Sequence, residues 1–266
     1  MLFSPSRLGS SFIVATASVV CTTAHAAELG DFYNLGPQAT ETVVRVGLVA
    51  IGGARYQGAN EARVMVVPGI TVQMANGFFA DPINGLGIAF NAMDNLQYGL
   101  RATVETGRST QDALPGFDSI KARLNPGAFA NYKIDDRLTL KSALRLGVGD
   151  GGKGGVLNLG AAYRIYQAGP VIVTLNGSVK YANSSYQQSY FGVSAAQSAA
   201  SGLKAFQPSA GFNTAQLGVA AGFPLSERVY AFSGVSLQRL LGNAANSPIT
   251  QKKQQVTGFL GAVYSF

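Results

Sequence analysis

Two residues able to act as nucleophile, base or metal ligand stand at the start of the chain. Cys21 and His25 are its only cysteine and only histidine, and beyond residue 26 there is no thiol, imidazole or tryptophan. That part of the chain can form no disulfide even in an oxidising compartment. It can build no Ser-His-Asp or Cys-His nucleophile, and no zinc site of the His or Cys type. Its carboxylates are scattered along the sequence rather than clustered. The expectation is therefore a protein that is not an enzyme, with no catalytic residue, no cofactor and no metal ligand. The glycine-rich stretch Gly149 to Gly155 contains Lys153. It lacks the spacing and the strand-to-helix setting of a phosphate loop.

The remaining chemistry lies in cations. Arg101, Lys141, Arg145, Arg164 and Lys180 fall at alternate positions, each among small or polar residues, with large aliphatics between them. Arg45, Arg63 and Arg123 follow the same rule, and Glu105 stands nearly alone against them. Such a set on one face can act in two ways. In a wet channel it would favour anions. In a tight interior, unpaired charges are costly, and the cations would pair with carboxylates from loops folded inward, with Asp112, Asp118 and Asp150 as candidates. The length of the connecting loops favours the second arrangement.

The positions of these cations follow from a period of two. From Leu138 to Val148 the even residues are Leu, Leu, Ser, Leu, Leu and Val, while Lys141 and Arg145 occupy odd ones. Residues 97–105, 157–165 and 171–181 repeat the pattern. A helix, with a period of 3.6, would not separate them so. These runs are nearer the roughly 9–11 residues of a membrane-crossing strand than the usual soluble strand of about 5–6. Charged residues make up 12% of the chain, against about 25% in soluble domains. Tyr98, Tyr132, Tyr181, Phe223 and Tyr264 sit at strand ends, where interfacial girdles belong.

The pattern predicts an all-β fold, a transmembrane antiparallel up-and-down barrel of about 12 strands. Eleven strands are read directly, near 42–54, 63–75, 86–92, 97–107, 122–132, 138–148, 156–167, 170–190, 211–222, 228–240 and 256–266. Bacterial single-chain barrels have an even number, so a twelfth is expected between 28 and 80. Pro68-Gly69 is the expected break. Outer loops are assigned at 76–85, 108–121, 149–155, 191–210 and 241–255, and short inner turns at 93–96, 133–137, 168–169 and 223–227.

Both ends fit export to the outer membrane of a Gram-negative cell. Arg7, the apolar run Ser11 to Cys21 and Ala24-His25-Ala26 form a signal peptide over 1–26, cleaved after Ala26, with the barrel over 27–266. The apolar run is shorter than the about 20 residues that span a bilayer as a helix. A lipoprotein anchored through Cys21 is the rival reading. At the other end Leu260, Ala262, Tyr264 and the terminal Phe266 alternate, which resembles the strand that the barrel-assembly machinery reads. Outer-membrane lipid and lipopolysaccharide are the expected surroundings, with Lys252-Lys253 in the last outer loop; no nucleic-acid partner is expected.

Two segments resemble a known family. Ser189-Tyr190-Phe191-Gly192-Val193-Ser194 with Ser201-Gly202-Leu203, and Leu240-Leu241-Gly242-Asn243-Ala244-Ala245-Asn246-Ser247-Pro248-Ile249, are similar to the signatures of the MipA/OmpV family of outer-membrane proteins. Tyr56-Gln57-Gly58, Pro68, Phe78-Phe79, Tyr98-Gly99 and Gly107-Arg108 add weaker likenesses. The resemblance implies a barrel that acts as a scaffold between a murein hydrolase and a murein synthase, or serves envelope integrity. Read without it, Asn246-Ser247-Pro248 is a turn, Tyr190-Phe191-Gly192 an aromatic belt, and the basic lumen a small, weakly anion-selective channel.

Overall fold

The computed structural model describes residues 39–105, 107–108, 112, 114–147 and 154–266. The signal peptide, its cleavage after Ala26, and Asp150 lie outside the described residues.

The described chain forms β1 (Val43–Ala54), β2 (Ala62–Gln73), β3 (Phe78–Asp81), β4 (Gly85–Met93), β5 (Leu96–Glu105) and β6 (Arg123–Lys133). There follow β7 (Leu138–Leu146), β8 (Gly155–Ala168), β9 (Val171–Ala182), β10 (Gly211–Pro224), β11 (Val229–Leu240) and β12 (Gln254–Ser265). Each strand pairs antiparallel with the next, and β12 returns to β1 through Arg45 opposite Ser265 to Gly52 opposite Gly258, closing the barrel. Closure removes most of the sheet edge, which lipid cannot hydrogen-bond.

Alternation sorts the two faces as the sequence predicts. Leu100, Leu144, Leu217 and Leu260 point outward and are exposed, as residues bathed in hydrocarbon should be. Phe90 and Tyr98 pair at 5.7 Å between ring centres near the inner ends of their strands, and Tyr264 with Phe266 at 5.0 Å. At the outer end Tyr181 meets Phe212 at 5.7 Å, edge to face. The inward face is packed. Phe79, Ala89 and Phe129 form one apolar cluster. Gly99 is needed beneath it, because a Cβ there would come within 2.8 Å of the Phe129 ring.

The structure corrects the sequence reading in three places. The twelfth strand is β3, four residues long, inside a stretch assigned to an outer loop. The link 82–84 that follows it turns into the lumen, where Asn84 is buried. Pro68-Gly69 does not break β2, which runs through both. Finally, 170–190 is not one strand. It ends at Ala182, and Asn183 caps helix α1 (Ser184–Phe191) by accepting from the Tyr186 N–H at 2.9 Å. An Asn N-cap of this kind is a strong helix start. Two further short helices, α2 (Ala195–Ser201) and α3 (Gly242–Asn246), belong to the outer connections.

The lipid-facing band yields a prediction. Leu100→Arg should destabilise the membrane-folded protein by about 2–4 kcal/mol, whereas Leu225→Arg in the inner turn should cost about 0–1 kcal/mol. Urea-dependent unfolding from lipid vesicles measures both, and equal costs would contradict the placement of Leu100 in hydrocarbon.

Candidate functional site

The outer half of the lumen holds the densest polar chemistry. Glu105, the last residue of β5, faces Arg123, the first residue of β6, across the strand pair. Its Oε2 accepts from Arg123 Nη2 at 2.8 Å, Arg123 Nε at 3.1 Å and Asn125 Nδ2 at 3.0 Å. The Tyr186 hydroxyl donates to its Oε1 at 3.2 Å. The two arginine contacts from one guanidinium make a directional, charge-assisted pair. Arg123 is 5% exposed, and its guanidinium lies 5.4 Å from the Tyr186 ring centre and 5.3 Å from that of Tyr190. The two tyrosine rings stack at 4.6 Å. A buried cation thus meets a carboxylate on one side and aromatic faces on the other. Burial, and then the nearby Glu105 charge, push the Tyr190 phenol above its ordinary value, so it stays uncharged.

Both tyrosines come from α1, which dips into the barrel. The helix is anchored by Phe191, fully buried against Leu240 and Ala244. The Ser247 hydroxyl donates to the Phe191 carbonyl at 2.6 Å. Above it, Phe117 from the β5–β6 connection, Val193 and Phe206 from β9–β10, and Ile249 from β11–β12 form a common apolar cluster. The two segments that carry the family resemblance therefore meet in space. Tyr190-Phe191 is not a lipid-facing belt: one side chain fills the lumen and the other holds the cap. Asn246-Ser247-Pro248 is a turn, but one whose serine bonds a distant backbone.

The basic residues singled out by alternation all lie on inward-facing positions of their strands, but they do not converge on one point. Arg101 is buried, donates to Asn84 Oδ1 at 3.2 Å, and lies 5.7 Å from the Phe129 ring centre. Arg145 is buried and acts electrostatically on Glu105. Lys180 is buried beside Asn158 on β8. Lys141 is half-buried, and Arg164 bonds Gln167 at 2.6 Å near the inner rim. Of the proposed loop carboxylates, Asp112 takes Arg63 at 3.2 Å and Arg55 at 3.9 Å, while Asp118 is exposed. Most of the neutralisation of Arg123 comes instead from the wall residue Glu105. Tyr186 and Asn84 were missed by sequence reasoning, and Tyr190 was read as part of an aromatic belt. The sole available signal was Asn183 ahead of Tyr186, an N-cap pattern masked by the strand-like run before it.

The arrangement binds charge to charge and ring to cation. Among the described residues no three His, Cys, Asp or Glu side chains gather as a metal site. The pattern suits a lumen closed by its own loops.

Comparison with solved structures returns barrels of low similarity. A "Bacterial polysaccharide outer membrane secretin" is 8% identical, with 84% of this chain and 97% of that chain covered and a TM-score of 0.46. A "KdgM porin in complex with disordered oligogalacturonate" is 10% identical, at 84% and 99% coverage and 0.44. A NanC porin is 8% identical, at 84% and 99% and 0.42. No protein of curated function matches in sequence. A family model described as "MltA-interacting protein MipA" matches residues 46–266, which spans every strand but the first residues of β1, and the chain belongs to this family of outer-membrane barrels.

Proposed function

We propose that this chain is a loop-closed outer-membrane barrel with a non-catalytic interaction role, docking murein-remodelling enzymes or maintaining the envelope. The observation that carries the reading is α1, whose Tyr186 and Tyr190 cover Arg123 and Glu105 in the outer lumen. Residues so engaged are poorly placed to pass a solute. The family's printed description, an MltA-interacting protein, supports a murein hydrolase as partner, with a murein synthase as the other half of such an assembly. The absence of His and Cys beyond residue 26 supports a role without catalysis. The inner turns are short, so the partner surface would be small and would comprise 134–137 and 225–228.

The second reading is a small, weakly anion-selective channel, favoured by the inward Arg101, Arg145 and Lys180. Planar-bilayer conductance separates the two. The wild-type protein is expected to be nearly silent, and a steady anion-biased current would make transport the better account. Glu105→Gln leaves Arg123 buried without its carboxylate, which costs about 3–5 kcal/mol. It should lower the thermal midpoint and introduce openings; a silent variant of unchanged midpoint would remove Glu105 from the closure.

The interaction role has its own test. Cross-linking in intact cells, followed by purification of the barrel, should recover a murein hydrolase. Its consistent absence, with the barrel itself recovered, would overturn the docking role while leaving the closed lumen intact.

A further inference from the structure

The barrel wall is interrupted on one side. β3 stops at Asp81 and β4 starts at Gly85, and β2 meets β3 only through Val72 and Gln73. The rest of β2, Ala62–Thr71, has β1 on one side and no strand partner among the described residues on the other. Val64, Val66 and Ile70 on this stretch are exposed and point outward, so it lies at the depth of the bilayer. Edge backbone in lipid is costly, and Pro68, midway along it, removes one N–H that would otherwise need a partner.

Both sides of this interruption are mainly apolar. On the lumen side Val67, Gly69, Ile83, Phe232 and Val263 line a mainly apolar cavity of about 60 Å³, with Thr71 and Asp81 also on its wall. Pro82 comes so close to Gly69 that a Cβ there would meet its ring at 2.7 Å. On the lipid side Leu86, Leu100, Ala102, Pro126, Leu144 and Leu146 line a groove of about 610 Å³. The leucines form its rim, and Ala102, Pro126 and the backbone of Gly87 and Gly127 its floor. Ile83 on the cavity and Leu86 on the groove stand three residues apart at the top of β4.

The contacts that cross the interruption lie at its outer end. Asp112, from the β5–β6 connection, holds Arg63 on β2 and Arg55 beyond β1. Arg108 of the same connection sits 5.7 Å from the Tyr56 ring centre. They form a clasp over the open seam.

We propose that this seam is a binding site for one acyl chain of an outer-leaflet membrane lipid, laid in the groove with its end reaching the Ile83 cavity, and that the Asp112 clasp controls entry. Apart from Phe78 and Arg101 the groove is lined by aliphatic residues and glycine; it is open, faces hydrocarbon, and lies on the outer half of β4–β7. A flexible chain fills such a shape, whereas the convex wall of a second barrel does not.

The test uses the full chain purified from outer membranes and reconstituted with a lipid carrying a photoreactive group at the acyl end, with labelled residues mapped by mass spectrometry. Label is expected on Val67, Pro82 and Ile83 as well as on the groove leucines. Asp112→Asn should raise the Ile83 label roughly two- to fivefold, the change in opening expected from losing a partly exposed ion pair. An Arg63→Cys/Asp112→Cys pair bridged by a bis-methanethiosulfonate cross-linker, which spans the longer gap left by the lost arginine, should abolish it, and reduction should restore it, a reversal that a folding defect would not give. Label confined to outward residues all round the barrel, or an Ile83 label indifferent to the clasp, would overturn the proposal. Displacement by free fatty acid but not by excess phospholipid would also overturn the lipid as the source of the chain.

Discussion

Hydrocarbon offers no hydrogen bonds, and the architecture follows from that. Each backbone N–H and C=O at bilayer depth must find its partner within the protein. Twelve strands joined in sequence order, with β12 returned to β1 over Arg45–Gly52, meet this demand without a crossover everywhere but along Ala62–Thr71 of β2. The connections lie beyond the hydrocarbon at both ends, where water can serve their backbone, and the long ones are at the outer end.

Closure has a second consequence. Alternation leaves one face for lipid, so a strand charge at the depth of the hydrocarbon must point inward, into a space whose width is fixed by the strand number. The lumen therefore concentrates cations in a poor solvent. Here Glu105 stands on the neighbouring strand to Arg123, and the outer connections supply two stacked tyrosines that cover the guanidinium. The cap core of Phe117, Val193 and Ile249 then holds those tyrosines in place. Filling the lumen and neutralising it are one act, and it ties three loops that are distant in sequence into one body.

What was legible in the sequence was whatever the period of two encodes. Leu138 to Leu146 reveals both its faces, and with them the inward direction of Lys141 and Arg145. β3 was hidden because four residues carry too little alternation to stand out between Asn76-Gly77 and Pro82. The start of α1 was hidden for the opposite reason: Tyr181 and the polar residues after it continue a strand-like rhythm, and α1 has no apolar stripe of helical period to announce itself. Alternation tells which face a residue occupies but not which loop comes to meet it. Asp112 could be named as a partner from its charge, whereas Tyr186 and Tyr190 carry none and could not.

The strongest and the weakest parts of the wall arise from the same rule. Where neighbouring strands run their full length, as β9 and β10 do from Gly211 to Gly222, the ladder is self-sufficient and no loop is needed to hold it. Where β3 and β4 end early, β2 is left with an edge that its own sequence blunts through Pro68, and side-chain contacts from the β5–β6 connection must take over from backbone bonds. An ion pair such as Asp112 with Arg63 can open and reclose without disturbing a backbone ladder. A barrel that is rigid on one side and clasped on the other is thus the physical outcome of shortening two strands while keeping the cylinder closed.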